Sequence, residues 1–167
     1  MKRVKFNEYL TEVNNVLPSG AFLTVKTDDE INTMTIGWAT IGIIWSKPIM
    51  VVLVRKSRHT YRLIEKAADF TVSFVFDGQM KKELSFCGTK SGRDYDKFKE
   101  CNLEIIPGRK VKTPVITSCD LHYECEIKYK QAMNPDNLAR EINNNNYPGK
   151  DYHTLYFGEI VDCYLEE

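Results

Sequence analysis

Between Ile31 and Ser46 the chain runs 16 residues without a charge, and no other feature narrows the fold as much. Threonines and an asparagine interrupt the run, so it is too short and too polar to cross a bilayer, which takes about 20 apolar residues. What it does show is period two. Met34, Ile36 and Trp38 fall on one side of an extended strand, and Thr33, Thr35, Gly37 and Ala39 on the other, because strand side chains alternate. The expectation is one long strand, bent at Gly42, with its bulky side in the core. Its thin, hydroxyl-bearing side would be a surface that a flat ligand approaches closely.

The flanking segments add strands. AFLTVKT (21–27), the wholly apolar IMVVLV (49–54), FTVSFVF (70–76), LHYECEIKYKQAM (121–133) and YHTLYFGEIVDCYL (152–165) all read as extended. In the fourth, His122, Glu124, Glu126, Lys128 and Lys130 lie opposite Tyr123, Cys125, Ile127 and Tyr129. A short helix is expected near residue 10, stopped by Pro18 and Gly20. A second covers HTYRLIEKAADF, with Tyr61, Ile64 and Ala68 inward and Arg62, Glu65 and Lys66 outward. Residues 77–103 read as polar and more helical. The Asn- and Pro-rich stretch from Asn134 disfavours a strand. Many strands with few helices predict a mainly β barrel or sandwich with helical insertions. No β-α alternation or glycine fingerprint of a dinucleotide-binding fold is present.

The totals fit one domain spanning 1–167, large enough for a core without staples. Basic and acidic residues balance at 23 each, so no overall field argues for nucleic acid or an anionic membrane. The N-terminus MKRVKFNEYL lacks the apolar run of a secretory signal, and the cytoplasm is the expected location. The five cysteines form no CxxC pair, which argues against both a disulfide framework and a zinc site. No metal is expected.

Two stretches carry candidate chemistry. VRKSRHTYRL (54–63) packs Arg55, Lys56, Ser57, Arg58 and Thr60 into six positions where a strand passes into a helix. Guanidinium donors, hydroxyls and a helix start suit a phosphate. The ordinary alternative is a Ser57 or Thr60 N-cap with solvated cations beside it. FCGTKSGRDYDKF (86–98) offers Cys87, Gly88, Thr89, Ser91 and Gly92 in a loop able to wrap a ligand, although a plain turn between helices has the same composition. His153 opens the last strand, where a histidine is more often structural than catalytic.

In order along the chain, NTMTIGW (32–38), KP (47–48), VRKSRHTYRLIEKAADFTVSF (54–74), FCGTKSGRDYDKF (86–98) and HTLYFGEIVDC (153–163) resemble the flavin reductase-like family of FMN-binding split barrels, including its flavoredoxin group. The resemblance implies a Greek-key antiparallel β-barrel with a few peripheral helices, and a homodimer with FMN near the subunit interface. By that analogy Asn32, Thr33, Met34 and Thr35, with Ile36 and Trp38, lie along the isoalloxazine ring. Arg55, Lys56, Ser57, Arg58 and Thr60 hold the phosphate, and a Cys87–Ser91 loop closes over it. His153 would be catalytic, seating a nicotinamide at the open ring face and giving a pH dependence around 6 to 7. The implied activity is hydride transfer from NADH or NADPH to FMN, with onward electron donation to a partner protein or oxygen. Two alternatives stay open: an FMN electron carrier reduced by a protein donor, and a non-catalytic flavin- or ligand-binding barrel.

Overall fold

The computed structural model describes residues 1–166. Ten strands and five α-helices follow in the order β1 (Lys2–Arg3), α1 (Leu10–Val16), β2 (Ala21–Lys26), β3 (Ile31–Ile36), β4 (Ala39–Ile44), β5 (Lys47–Arg55), α2 (His59–Ile64), β6 (Asp69–Phe74), α3 (Lys81–Thr89), α4 (Lys97–Glu100), β7 (Ile105–Ile106), β8 (Val115–Ile116), β9 (Leu121–Ala132), α5 (Arg140–Asn146) and β10 (His153–Leu165). Every strand pairing is antiparallel.

The main sheet has the order β3-β2-β6-β9-β10-β5-β4, with β1 added to β10. Its two ends, β3 and β4, are consecutive in the chain and separated only by Gly37 and Trp38. Seven flat strands at about 4.8 Å spacing would hold those ends roughly 29 Å apart. Two linking residues span no more than about 11 Å, so the sheet must curl until its edges meet. The result is a barrel with an unpaired seam between β3 and β4.

The uncharged run is therefore two strands and not one. The break falls at Gly37–Trp38 and not at Gly42, which continues β4 opposite Ile49. Met34 and Ile36 enter the core as expected, but Trp38 lies past the break and is 45% exposed. The thin face is not an open surface either. Thr33 is fully buried, its hydroxyl bonded to Thr24 and the Leu23 carbonyl, and Thr35 donates to the Leu84 carbonyl of α3. Helix α3 covers that face, because Leu84 and Cys87 pack with Phe22 and Ile116 in a second small core beside the barrel.

The barrel interior is filled by Leu23, Val25, Met50, Val52, Phe70, Val72, Tyr123 and Tyr156 among others. IMVVLV sits between β10 and β4 with most of its residues buried. On β9 the polar side is not solvated throughout, since His122 and Glu124 are fully buried. Glu124 accepts the backbone N–H groups of Arg109, Lys110 and Val111 and the Tyr164 hydroxyl. Asp69 accepts those of Lys112 and Thr113. Two buried carboxylates thus fix a basic loop whose N–H groups would otherwise go unpaired. Ala68 is exposed, because α2 ends at Ile64 and Leu63 takes the inward position.

Gly158 sits at an irregularity between β9 and β10. An added Cβ there would lie 2.6 Å from Phe70 and 2.7 Å from Cys125. Gly158→Ala is expected to cost about 1–3 kcal/mol by overpacking, read as a lower urea midpoint with an unchanged m-value.

Candidate functional site

The seam of the barrel opens into a cleft of two pockets that share Met34 and Arg58. One lies where β5 passes into α2 under the loop after α3, with a volume of about 110 Å³. Its wall carries four cations, Arg58, Lys90, Arg93 and Lys97, with hydroxyls from Ser57, Thr60, Thr89 and Ser91, and no carboxylate. The second, about 160 Å³, lies at the seam, between Met34–Trp38 on one side and Leu53 and Arg55 of β5 with His153 of β10 on the other.

Lys97 is a buried cation on the wall of the first pocket, and the sequence pattern gave no hint of it. It is 4% exposed, and its ammonium donates to the carbonyls of Thr33 (3.0 Å) and Cys87 (2.7 Å). No carboxylate pairs with it among the described residues. Burial pushes its pKa down, and nearby Arg58 pushes the same way. A buried cation without a counter-charge is costly, and an anion in this pocket would offset that cost. Helix α2 adds little, since six residues sum to only a small dipole. It also starts at Arg58 without a side-chain cap, so the N-cap reading of Ser57 and Thr60 does not hold. Thr60 instead accepts from the buried Asn32 amide, which ties β3 to α2 and keeps Asn32 out of both pockets.

The structure redistributes the remaining expected residues. Arg58 reaches the first pocket and donates to the Gly88 carbonyl. Arg55 does not: its guanidinium binds the carbonyls of Asp151 (2.9 Å) and Asn146 (3.0 Å) and lines the second pocket. Arg58, beyond the end of β5 at the start of α2, lines both pockets, whereas Arg55 lines only the second. Ser57 lines the first pocket but gives its N–H and hydroxyl to the Asp151 carboxylate. Lys56 is exposed and lines neither pocket; its charge acts on Glu65. Cys87, Gly88 and Thr89 form the last turn of α3 and not a loop, because Gly88 packs against Thr35. Burial pushes the Cys87 thiol up to about 12, with Cys101 adding to it, so Cys87 stays a protonated wall residue. Only Lys90 to Arg93 arch over the pocket. There Gly92 leaves no room for a side chain, its Cβ position lying 2.3 Å from Asn32 and 2.7 Å from His59.

At the seam end, the His153 and Trp38 rings meet tilted at 46°, with centroids 5.1 Å apart. Burial, with Arg55, lowers His153 to about 4, so the expected titration around 6 to 7 is replaced by a ring that is neutral at physiological pH. Thr35 and Ile36 line this pocket, whereas Thr33 does not.

Residues 17–167 match the flavin reductase like domain. The chain belongs to this family. A curated relative in Pyrococcus abyssi, itself uncharacterized, is 32% identical over 90% of this chain and 76% of its own. Among solved structures, flavoredoxin from Methanosarcina acetivorans is 28% identical with a TM-score of 0.69, covering 89% of this chain and 68% of its own. An FMN-binding protein from Thermus thermophilus with bound cyclohex-2-enone has the same TM-score at 24% identity, over 88% and 70%. These neighbours share the split-barrel fold of the flavin reductase-like family, and the pockets fit its cofactor chemistry. The buried Lys97, without a counter-charge among the described residues, suits a phosphate, and the slot between Met34–Trp38 and His153 suits a planar ring. Among the described residues no helix is long and apolar enough to cross a membrane.

Proposed function

We propose that the protein binds one FMN per chain along the seam and works as a flavin reductase-type oxidoreductase. The observation that carries this is a pair of adjoining pockets: a carboxylate-free one of four cations, and one at the seam lined by Trp38 and His153. Arg58, Lys97 and the Ser91 hydroxyl would hold the phosphate, and backbone from Met34 to Gly37 would run along the ring. When bound, FMN supplies two-electron chemistry, taking hydride from NADH or NADPH and returning electrons to an acceptor. The protein's part is to seat the phosphate, keep water off one ring face and present His153 at the other.

The same cleft serves a flavoredoxin-like carrier reduced by a protein donor, and one experiment separates the two. The purified protein, loaded with FMN, is mixed anaerobically with NADH or NADPH. Bleaching within seconds supports the reductase. A yellow protein that bleaches only with a protein donor supports the carrier, and a protein that takes up no FMN refutes both.

A homodimer forms part of this proposal. The β4–β5 hairpin exposes Ile43 (62%) and Trp45 (55%), with Trp45 resting on Tyr129 and Phe157. Such a patch is what a subunit contact covers. Sedimentation is expected to show a dimer at micromolar concentration, and a flavin-loaded monomer would count against it.

A further inference from the structure

His153, on the wall of the seam pocket, is half of a polar pair that seating a flavin leaves without a task. The Tyr147 hydroxyl lies 2.8 Å from His153 Nδ1, and Tyr147 is 3% exposed. The Arg55 guanidinium sits 5.0 Å over the Tyr147 ring, and Tyr152 packs at 5.0 Å between ring centroids. The connection before β10 is thus clamped so that one hydroxyl points at one ring nitrogen.

The proton positions follow from which groups have partners. His153 is neutral, because burial and then Arg55 disfavour the imidazolium, with Arg58 acting the same way and Asp151 opposing. It therefore carries one ring proton. Burial also raises Tyr147, so its hydroxyl stays protonated, and His153 is its hydrogen-bond partner. If Nδ1 held the ring proton, Tyr147 would accept, and its own proton would be buried without an acceptor. That costs about 1–3 kcal/mol. If Tyr147 donates to Nδ1, no buried donor is wasted. The ring proton then sits on Nε2, which has no hydrogen-bond partner among the described residues, on a ring that lines the pocket.

We propose that Tyr147 is a positioning residue that holds His153 as an Nε2–H donor into the seam pocket, and that this donor takes the oxygen of a planar carbonyl or carboxamide ligand. The Trp38 face beside His153 suits a planar group. A neutral imidazole donates a hydrogen bond without giving up its proton, which suits an oxygen acceptor and not a cation. The ligand half rests on the flavin reading; the tautomer half stands on the structure alone. The carbonyl has two sources, the carboxamide of a nicotinamide donor or the carbonyl of an electron-accepting substrate.

The test is a double-mutant cycle on FMN-loaded protein, with ¹⁵N spectra of the histidine rings beside it. The probes are redox-inert tetrahydro-NADH for the carboxamide and benzaldehyde for the carbonyl, each followed by the change in flavin absorbance. Tyr147→Phe is expected to weaken at least one probe ~10-fold, and the probe that responds names the source. In a His153→Ala background the same change should cost under ~2-fold, because the tyrosine acts through the imidazole. Equal losses in both backgrounds, or no loss for either probe, would overturn the proposal. In flavin-free protein at pH 7, His153 should show a pyrrole-type Nε2 and a pyridine-type Nδ1, mixing in Tyr147→Phe. A pyrrole-type Nδ1, or an imidazolium, would overturn it. The spectra need no flavin, so failure to bind FMN refutes the functional reading while the tautomer is still decided.

Discussion

Arg58→Ala is expected to weaken FMN binding roughly 10- to 100-fold while changing riboflavin affinity less than about threefold. Arg58 lies in the carboxylate-free pocket and is exposed, so its loss removes one bond to the Gly88 carbonyl and little packing. A charge-assisted bond to phosphate is worth about 1.5–3 kcal/mol, which sets the factor. The contrast is Arg55→Ala. Arg55 binds the Asn146 and Asp151 carbonyls, so its removal loosens the wall of the seam pocket and should weaken both flavins by the same factor. Parallel fluorescence titrations of the two variants with both flavins check this. Equal losses in Arg58→Ala would move the phosphate elsewhere.

The second large effect is on stability in acid. His122 is fully buried, bonded through Nδ1 to Ser73 at 2.9 Å, with no hydrogen-bond partner for Nε2 among the described residues and the Glu166 carboxylate 3.8 Å from it. Burial lowers its pKa from 6.5 to about 4. The folded state therefore keeps His122 neutral while the unfolded chain takes up a proton near 6.5. Between pH 6.5 and about 4 the unfolded state binds more protons, so stability falls as pH falls through that window. Below about 4 both states are protonated and the loss is complete. At about 1.4 kcal/mol per pH unit the loss is about 3 kcal/mol. His153, lowered for the same first reason, adds to it in the same window. Urea unfolding of wild type and His122→Gln at pH 7 and pH 4.5 measures this. The variant should lose clearly less stability between the two pH values, and parallel losses would remove His122 as the cause.

How far the sequence carried depended on whether a signal was local. Period-two alternation located β3, β9 and β10, and the apolar run located β5, because side-chain alternation is a property of the strand itself. Alternation said nothing about which face another element covers. Thr33 and Thr35 looked open since α3, which buries them, is contributed by residues some fifty positions later in the chain. The phosphate end was legible as a density of cations and hydroxyls between Arg55 and Thr60, but not its partition. β5 ends at Arg55, which turns to the Asn146 and Asp151 carbonyls, while Ser57 goes to the Asp151 carboxylate and Arg58, at the start of α2, reaches the first pocket. Lys97 was invisible. In DYDKFKE it reads as one more surface lysine, and only the docking of α4 on β3 buries it. Tyr147 lay in an Asn-rich connection with no periodic signal, and His153 acquired its partner only when that connection folded back.

The central claim, that the seam cleft is an FMN site with its phosphate at Lys97 and Arg58, is tested most directly by calorimetric titration of flavin-free protein with FMN and with riboflavin. One FMN per chain is predicted, bound at least ~10-fold more tightly than riboflavin, with the difference shrinking as salt screens the phosphate contacts. Equal affinity for the two flavins, or no heat of binding with FMN, would contradict it.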